Sequence, residues 1–518
     1  MKKLSILLIA TLAGVFSGCY KDTGNYNYKD INEITITGMA SSYSAIFSLD
    51  VLHIEPKINM TEAGSDPTRF SYNWVLCKGY TPLDTLGTAP VLDYPVNISP
   101  DVYNLFLRIK DNTTGVTWQK SATLTVGTRY SMGLMLMGLS DNGHAEVDMI
   151  TMVNDTVVVK GLLSASGLPA LTDPVTIMHN GDKDTSSNKG RVWVMTKSGS
   201  YYLDRKTMKG VKENVFGRIV VLSDPLDKQS LTPILYAPQI RDRAGNTGNA
   251  YARAVMTSDG NIFPTHTFIT AGDFYANPVN REESNYGKLL KSAPYLFYSI
   301  ANMSSVIWYD TENDRFMNYS TFGVGIYSLK LNDLVTDAFP WNQGATGRKL
   351  VYGENTRNTD GGATNGNSFA IMKDAANKFF IYKFYASGAA PIKRDMYTVS
   401  AIATDFDKAS FYAFSSRRSV VFYAVGNRLY GYDYNKGLEK IYQFADLGAD
   451  EITMLKFDTQ IDFATNSLYI ATYNETTKGR LRRFTVGTDP NTVTIAPVNR
   501  ADWDGLSKIK DMNWRAVN

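Results

Sequence analysis

Short runs of alternating or continuous apolar residues, separated by polar turns, cover most of this chain, and helical periodicity is almost absent. From Ile34-Thr35-Ile36 to Val126 the pattern predicts strands. Phe70-Ser71-Tyr72-Asn73-Trp74-Val75-Leu76 alternates about an aromatic centre. Tyr103 to Asp111 runs into an Asn112-Thr113-Thr114-Gly115 turn, and the chain returns through Ala122-Thr123-Leu124-Thr125-Val126. A central Trp strand, a long late strand, a glycine turn and a closing strand predict a β-sandwich of ~100 residues.

From about Thr128 the texture changes to repeated hairpins. Leu134 to Met137 turns at Asp141-Asn142-Gly143 and returns as Val147 to Ile150. Comparable pairs start at Arg191, Ala254, Val306, Phe369, Val420 and Leu468. About seven such units, spaced roughly 45 to 70 residues apart, are the pattern of a β-propeller whose blades stack on their neighbours. The alternative is an irregular sandwich or two smaller β domains. Trp503 and Trp514, near the C-terminus, are expected to close the ring by packing a last strand on the first blade. Trp74, Trp193 and Trp308 lie within strand patterns and read as core.

The first residues carry an address. Met1-Lys2-Lys3 is followed by an apolar stretch, Leu4 to Phe16, which falls short of the ~20 residues needed to span a bilayer as a helix. It ends in Ser17-Gly18-Cys19, which resembles a bacterial lipobox in which Cys19 receives lipid. The expected organisation is a signal peptide over 1–18, a lipidated tether over 19–31, a sandwich over 32–127 and a propeller over 128–518. With Cys19 acylated, Cys77 is the one thiol left and reads as a small buried hydrophobe.

Composition narrows the chemistry. With 53 basic and 50 acidic residues the net charge is +3, and no basic field marks a nucleic-acid partner. Four histidines, His53, His144, His179 and His266, are scattered, and no metal or cofactor motif occurs. Asp310, Glu312 and Asp314 alternate, yet the segment lacks the glycine and later glutamate of a calcium loop and reads as a polar turn between blade strands. No nucleophile elbow or phosphate loop is present, so a non-enzymatic role is expected. A glycosidase or lyase with axial carboxylates is the alternative, because two facing carboxylates leave no sequence motif. A purely structural interaction platform is a third reading.

Two long insertions stand out from the short turns: Gln239 to Asn249, and Phe339 through Gly353-Glu354-Asn355 to Gly366. Their aromatics, amides and arginines suit a glycan or peptide. Trp341 is the leading ligand-binding candidate, with Asn342, Arg348, Tyr352, Arg241 and Arg243 beside it. The competing reading of Trp341 is a loop residue packed onto a neighbouring blade.

The lipobox, the segment Gly24-Asn25-Tyr26-Asn27-Tyr28-Lys29-Asp30-Ile31-Asn32 and the strand after it resemble the start of the PKD-like family lipoproteins. Tyr72-Asn73-Trp74 resembles the aromatic strand of a PKD-type sandwich, and Tyr103 to Asp111 with its turn resembles its later strands. Cys77-Lys78-Gly79-Tyr80 stands where such domains usually carry an Asp-Gly-rich turn. The resemblance implies an outer-membrane lipoprotein facing outward, an accessory subunit of a Sus-type nutrient-uptake system. Its implied partners are a TonB-dependent transporter and a SusD-like lipoprotein.

Overall fold

The computed structural model describes residues 32–62, 66, 68–153, 156–181, 191–248, 252–266, 274–320, 326–444 and 447–516. Cys19, the leader and the tether lie outside the described residues. Strands dominate, with only short 3-10 turns between them, and among the described residues no helix is long and apolar enough to cross a membrane. The chain divides into two units, one ending at Val126 and the other beginning at Gly127.

The first unit is a β-sandwich. Its larger sheet has the order Ser42–Ile46, Thr117–Gly127, Asp101–Asp111, Phe70–Lys78, Thr81–Gly87. Ile34–Thr37 pairs with Lys57–Met60, and Val51–Ile54 with Leu92–Pro95. The alternation seen in the sequence has a direct cause: Trp74 faces inward opposite Leu107 and packs with Ile36, Ile54, Leu105 and Leu124 in one core. Trp74 is fully buried, and its indole N–H donates to the Ala89 carbonyl at 2.9 Å, so its polar atom is satisfied. Gly79 sits at φ +59° in the tight turn after the Trp strand, a left-handed position that glycine adopts without strain. Cys77 is buried, as a small apolar residue in that strand would be.

The second unit is a β-propeller. Seven antiparallel sheets follow one another among the described residues, over 133–159, 174–203, 233–266, 305–330, 349–398, 411–444 and 451–506. Each hairpin read from the sequence is a pair of neighbouring strands within one sheet; Leu134 faces Ile150 and Val420 faces Asp433, for example. Several hairpin strands, such as Val192–Thr196 and Ser305–Asp310, are buried along their whole length. They read as continuous apolar runs because each sheet is covered on both faces by its neighbours.

Hydrophobic clusters record that stacking. Met137, Ile177 and Val194 join the first two sheets, and Phe369, Phe414 and Tyr432 join the fifth and sixth. Leu134, Ile150, Tyr469, Leu481 and Trp514 join the seventh sheet to the first. Hydrogen bonding closes the ring as well: the last strand, Lys508–Arg515, pairs with Gly133–Leu139 of the first sheet, placing Trp514 opposite Leu134. Trp503 lies in the seventh sheet opposite Leu481 and packs against the same closing cluster.

Candidate functional site

The innermost strand of each sheet borders a single cavity of about 570 Å³. Pro174–His179, Pro233–Ala237, Lys349–Asn355, Phe411–Phe414, Glu451–Phe457 and Lys508–Arg515 all contribute, and 294–300 serves the fourth sheet, bridged to its strand through Phe297 and Ile307. This is the central channel of the propeller.

Tyrosines dominate one wall. Tyr295 and Tyr352 meet edge to face at 5.9 Å, and Tyr412 lies 5.4 Å from Tyr352. Beside them Glu354 accepts hydrogen bonds from the Phe414 backbone N–H at 2.8 Å and from the Tyr352 hydroxyl at 3.2 Å. Burial pushes the Glu354 carboxyl up to about 8, so it is neutral over most of the physiological range. The Tyr352 hydroxyl is pushed well above its ordinary value, by burial first and by Glu354 next. Opposite charges on the far wall are paired: Lys456 donates to Asp511 at 2.8 Å, and Asp511 also accepts from the Thr176 hydroxyl. Burial and the nearby Lys508 lower the Lys510 ammonium. The channel is thus an aromatic and amide surface with little free charge.

Where the inner strands leave the channel at their C-terminal ends, their loops gather into a second hollow of about 410 Å³, lined by Ala301, Arg357, Asp360, Ser416, Arg417 and Phe463 among others. Arg357 ties this mouth together. Its guanidinium stacks on Phe463 at 4.3 Å and donates to the carbonyls of Thr459 at 2.8 Å and Arg241 at 2.5 Å. Arg241 in turn donates to the Ala301 carbonyl at 3.2 Å.

The six candidates do not form one site. Tyr352 lines the channel, and Arg241 supports the mouth. Arg243 lies beside it, stacked over Trp514 and paired with Asp462 at 3.3 Å. Trp341 belongs elsewhere. It is only 3% exposed and sits edge-on to Phe316, Phe339 and Phe384, between the fourth and fifth sheets. The competing reading of that residue is the one observed: its ring is core and has no face left for a ligand. Asn342 caps the adjoining turn by accepting from Gly344 N–H at 2.9 Å. Arg348 lies over Phe380 at 3.6 Å and donates to the Tyr382 hydroxyl at 2.8 Å, at the N-terminal end of the inner strand. Asp310 is spent on its turn, accepting from Arg315 at 3.0 Å and from the Glu312 and Asn313 amides.

The second insertion is also not one loop. Lys349–Asn355 within it is the inner strand of the fifth sheet, and a register shift between Leu350 and Tyr352 breaks the alternation that would have marked it. Glu354, Arg357, Tyr412 and Arg417 carry the site's chemistry without being legible as candidates. The one available signal was the polar Gly353-Glu354-Asn355 within an otherwise strand-like stretch.

Comparison with known proteins adds little chemistry. No curated protein matches the chain. Among solved structures it is similar to a quinonprotein alcohol dehydrogenase-like protein from Bacteroides thetaiotaomicron, at 13% identity and TM-score 0.38, covering 92% of this chain and 97% of that one. A protein of unknown function from the same organism aligns at 8% identity and TM-score 0.30, covering 95% and 99%. An ancestral GH74 enzyme aligns at 8% identity and TM-score 0.29, covering 74% and 62%. These likenesses assign no activity. Residues 19–172, which take in the sandwich and the strands of the first propeller sheet over 133–159, match the model of the PKD-like family.

Proposed function

We propose that this protein is a lipid-anchored, outward-facing outer-membrane subunit that binds a polar polymer, a glycan or a peptide, without transforming it. The observation that carries the reading is the channel: every sheet of the propeller presents its inner strand to one cavity lined by Tyr295, Tyr352 and Tyr412. Rigid aromatic faces beside amides and hydroxyls suit sugar rings and extended peptides. The anchor is supported by the charged and apolar leader ending at Cys19 and by the PKD-like match that begins at that residue. Placement beside a TonB-dependent transporter and a SusD-like lipoprotein follows from the resemblance of the N-terminal segment.

Three measurements test this. Incorporation of a labelled fatty acid should occur in the wild type and disappear in Cys19→Ala. Purification from gently solubilised outer membranes should bring down the transporter and its lid protein in near-equal amounts; isolation of the chain by itself would remove the uptake-complex role. Binding of the purified chain to a panel of glycans and peptides should weaken in Tyr352→Ala, and a panel without a single binder would sink the ligand role.

A second reading, hydrolysis, has one observation in its favour. Glu354 is a neutral acid bordering a cavity that also holds Asp511 in an ion pair, and an acid–carboxylate pairing of that kind is used to cleave glycosidic bonds. Turnover of any panel member that is lost in Glu354→Gln would establish it over simple binding.

A further inference from the structure

The channel mouth carries positive charge that its own residues leave unpaired. Arg357 donates its Nε and one Nη to main-chain carbonyls, and its remaining Nη has no acceptor among the described residues. Burial first, and the neighbouring Arg241 next, bring the Arg357 guanidinium down to about 10. Asp458 and Asp242 act on it through space and raise it, but neither is hydrogen-bonded to it: Asp458 accepts from the amides of Gln460, Ile461 and Asp462, and Asp242 accepts from Asn246. Arg417, also in the lining of the hollow, is exposed, and its guanidinium meets no partner among the described residues. The one carboxylate in the lining, Asp360, is paired with the nearly buried Lys383 at 2.7 Å. Nearby arginines are treated differently: Arg243 and Arg483 both pair with Asp462, and Arg418 is held by the carbonyls of Gly487 and Thr492.

Holding a guanidinium half out of water without a directly bonded carboxylate costs free energy, which an arriving anion would offset. The hollow is also built to keep the two arginines in place. Arg357 is clamped by Phe463, and its backbone N–H donates to the Ser416 hydroxyl at 3.0 Å, which ties its loop to the one bearing Arg417. The hydroxyls and amides of Thr359, Thr364 and Asn365 complete the lining.

We propose that Arg357 and Arg417 form an anion-binding subsite that seats the carboxylates of an acidic polysaccharide, a chain of uronic acids, at the mouth of the channel. The open guanidinium fork of Arg417 matches a carboxylate in two-point fashion, the free Nη of Arg357 adds a further donor, and the tyrosine-walled channel beyond takes the uncharged faces of adjoining rings. This rests on the binding reading above and specifies its ligand class.

Calorimetric titration of the full chain in detergent, with an oligogalacturonate and with the same oligosaccharide after carboxyl reduction, tests it. The acidic form should bind at least about tenfold tighter at low salt, with the advantage shrinking as salt rises. Arg417→Gln should remove most of that advantage while leaving the melting temperature unchanged, because the side chain is exposed; Arg357→Gln should remove the rest. Equal binding of the two forms would overturn the subsite and leave the binding reading standing. Binding of neither would overturn it as well, and the binding reading would then be judged on the neutral glycans and peptides of the panel. An acidic preference untouched by both substitutions would place the anion elsewhere and sink the assignment.

Discussion

At the scale of single residues, environment rather than residue type decides what each group does. Trp341 and Tyr352 both occur in the same aromatic-rich insertion, yet one is core and the other is channel wall. Trp341→Ala is therefore expected to cost stability, about 3–5 kcal/mol, through the cavity left among Phe316, Phe339 and Phe384. A urea titration would show it as a lowered midpoint, and an unchanged midpoint would mean that the ring is dispensable to the core. Glu354 makes the second residue-scale case. Its carboxyl is raised from an ordinary 4.5 to about 8 in the folded protein, so between those values the folded state holds a proton that the unfolded chain has released. Stability from this group is thus undisturbed below about 4.5, falls as pH rises through that window and is fully lost above about 8. The slope stays below ~1.4 kcal/mol per pH unit, because a single carboxyl differs by at most one proton between the two states. Glu354→Gln keeps both hydrogen bonds and cannot ionise. Its stability relative to wild type should climb from pH 5 to pH 9; a constant difference would show that the carboxyl titrates normally.

Elements are where the sequence was most legible and where its silence has clear causes. The hairpin strands were visible because burial on both faces makes them largely apolar, and each predicted hairpin is a pair of neighbouring strands in one sheet. Inner strands were harder to see. They turn one side to a polar channel and carry register shifts, as at Leu350/Tyr352, Pro233/Leu235 and Ile452/Met454, so neither an apolar run nor a clean alternation survives. Glu354 and the tyrosines facing it come from such strands, and for that reason the site was the part least visible. The closing strand adds a test of its own. Gly138 lies at a register shift opposite Lys508–Arg515, and a Cβ there would stand 2.7 Å from the Lys508 carbonyl oxygen. Since that oxygen is main chain, the strand itself must move. Gly138→Ala should cost about 1–3 kcal/mol and loosen the pairing that closes the ring. Hydrogen exchange would report it as faster exchange confined to 133–139 and 508–515, and unaltered protection there would show that the strand has room to yield.

For the whole molecule, the order of elements along the chain already sets the assembly. Each propeller sheet is complete within one stretch of sequence except the first, which waits for the last residues to be made. The sandwich has its own core about Trp74, Leu105 and Leu124, and each propeller cluster is drawn from residues beyond Gly127. A chain so divided is expected to behave as two cooperative units, each with enough buried apolar surface to fold by itself. Separate production of residues 32–126 and 127–518 should give two soluble folded proteins, each with a single sharp thermal transition. Truncation of the second fragment after Leu506 makes the sharper case. It removes Trp514 and the strand opposite Gly133–Leu139, exposing both a sheet edge and the cluster that joins the seventh sheet to the first. Calorimetry of the truncated fragment should show a broad transition at lower temperature in place of the sharp one. Retention of the full transition would mean that the ring is held by the stacking of its sheets alone and that the closing strand contributes little.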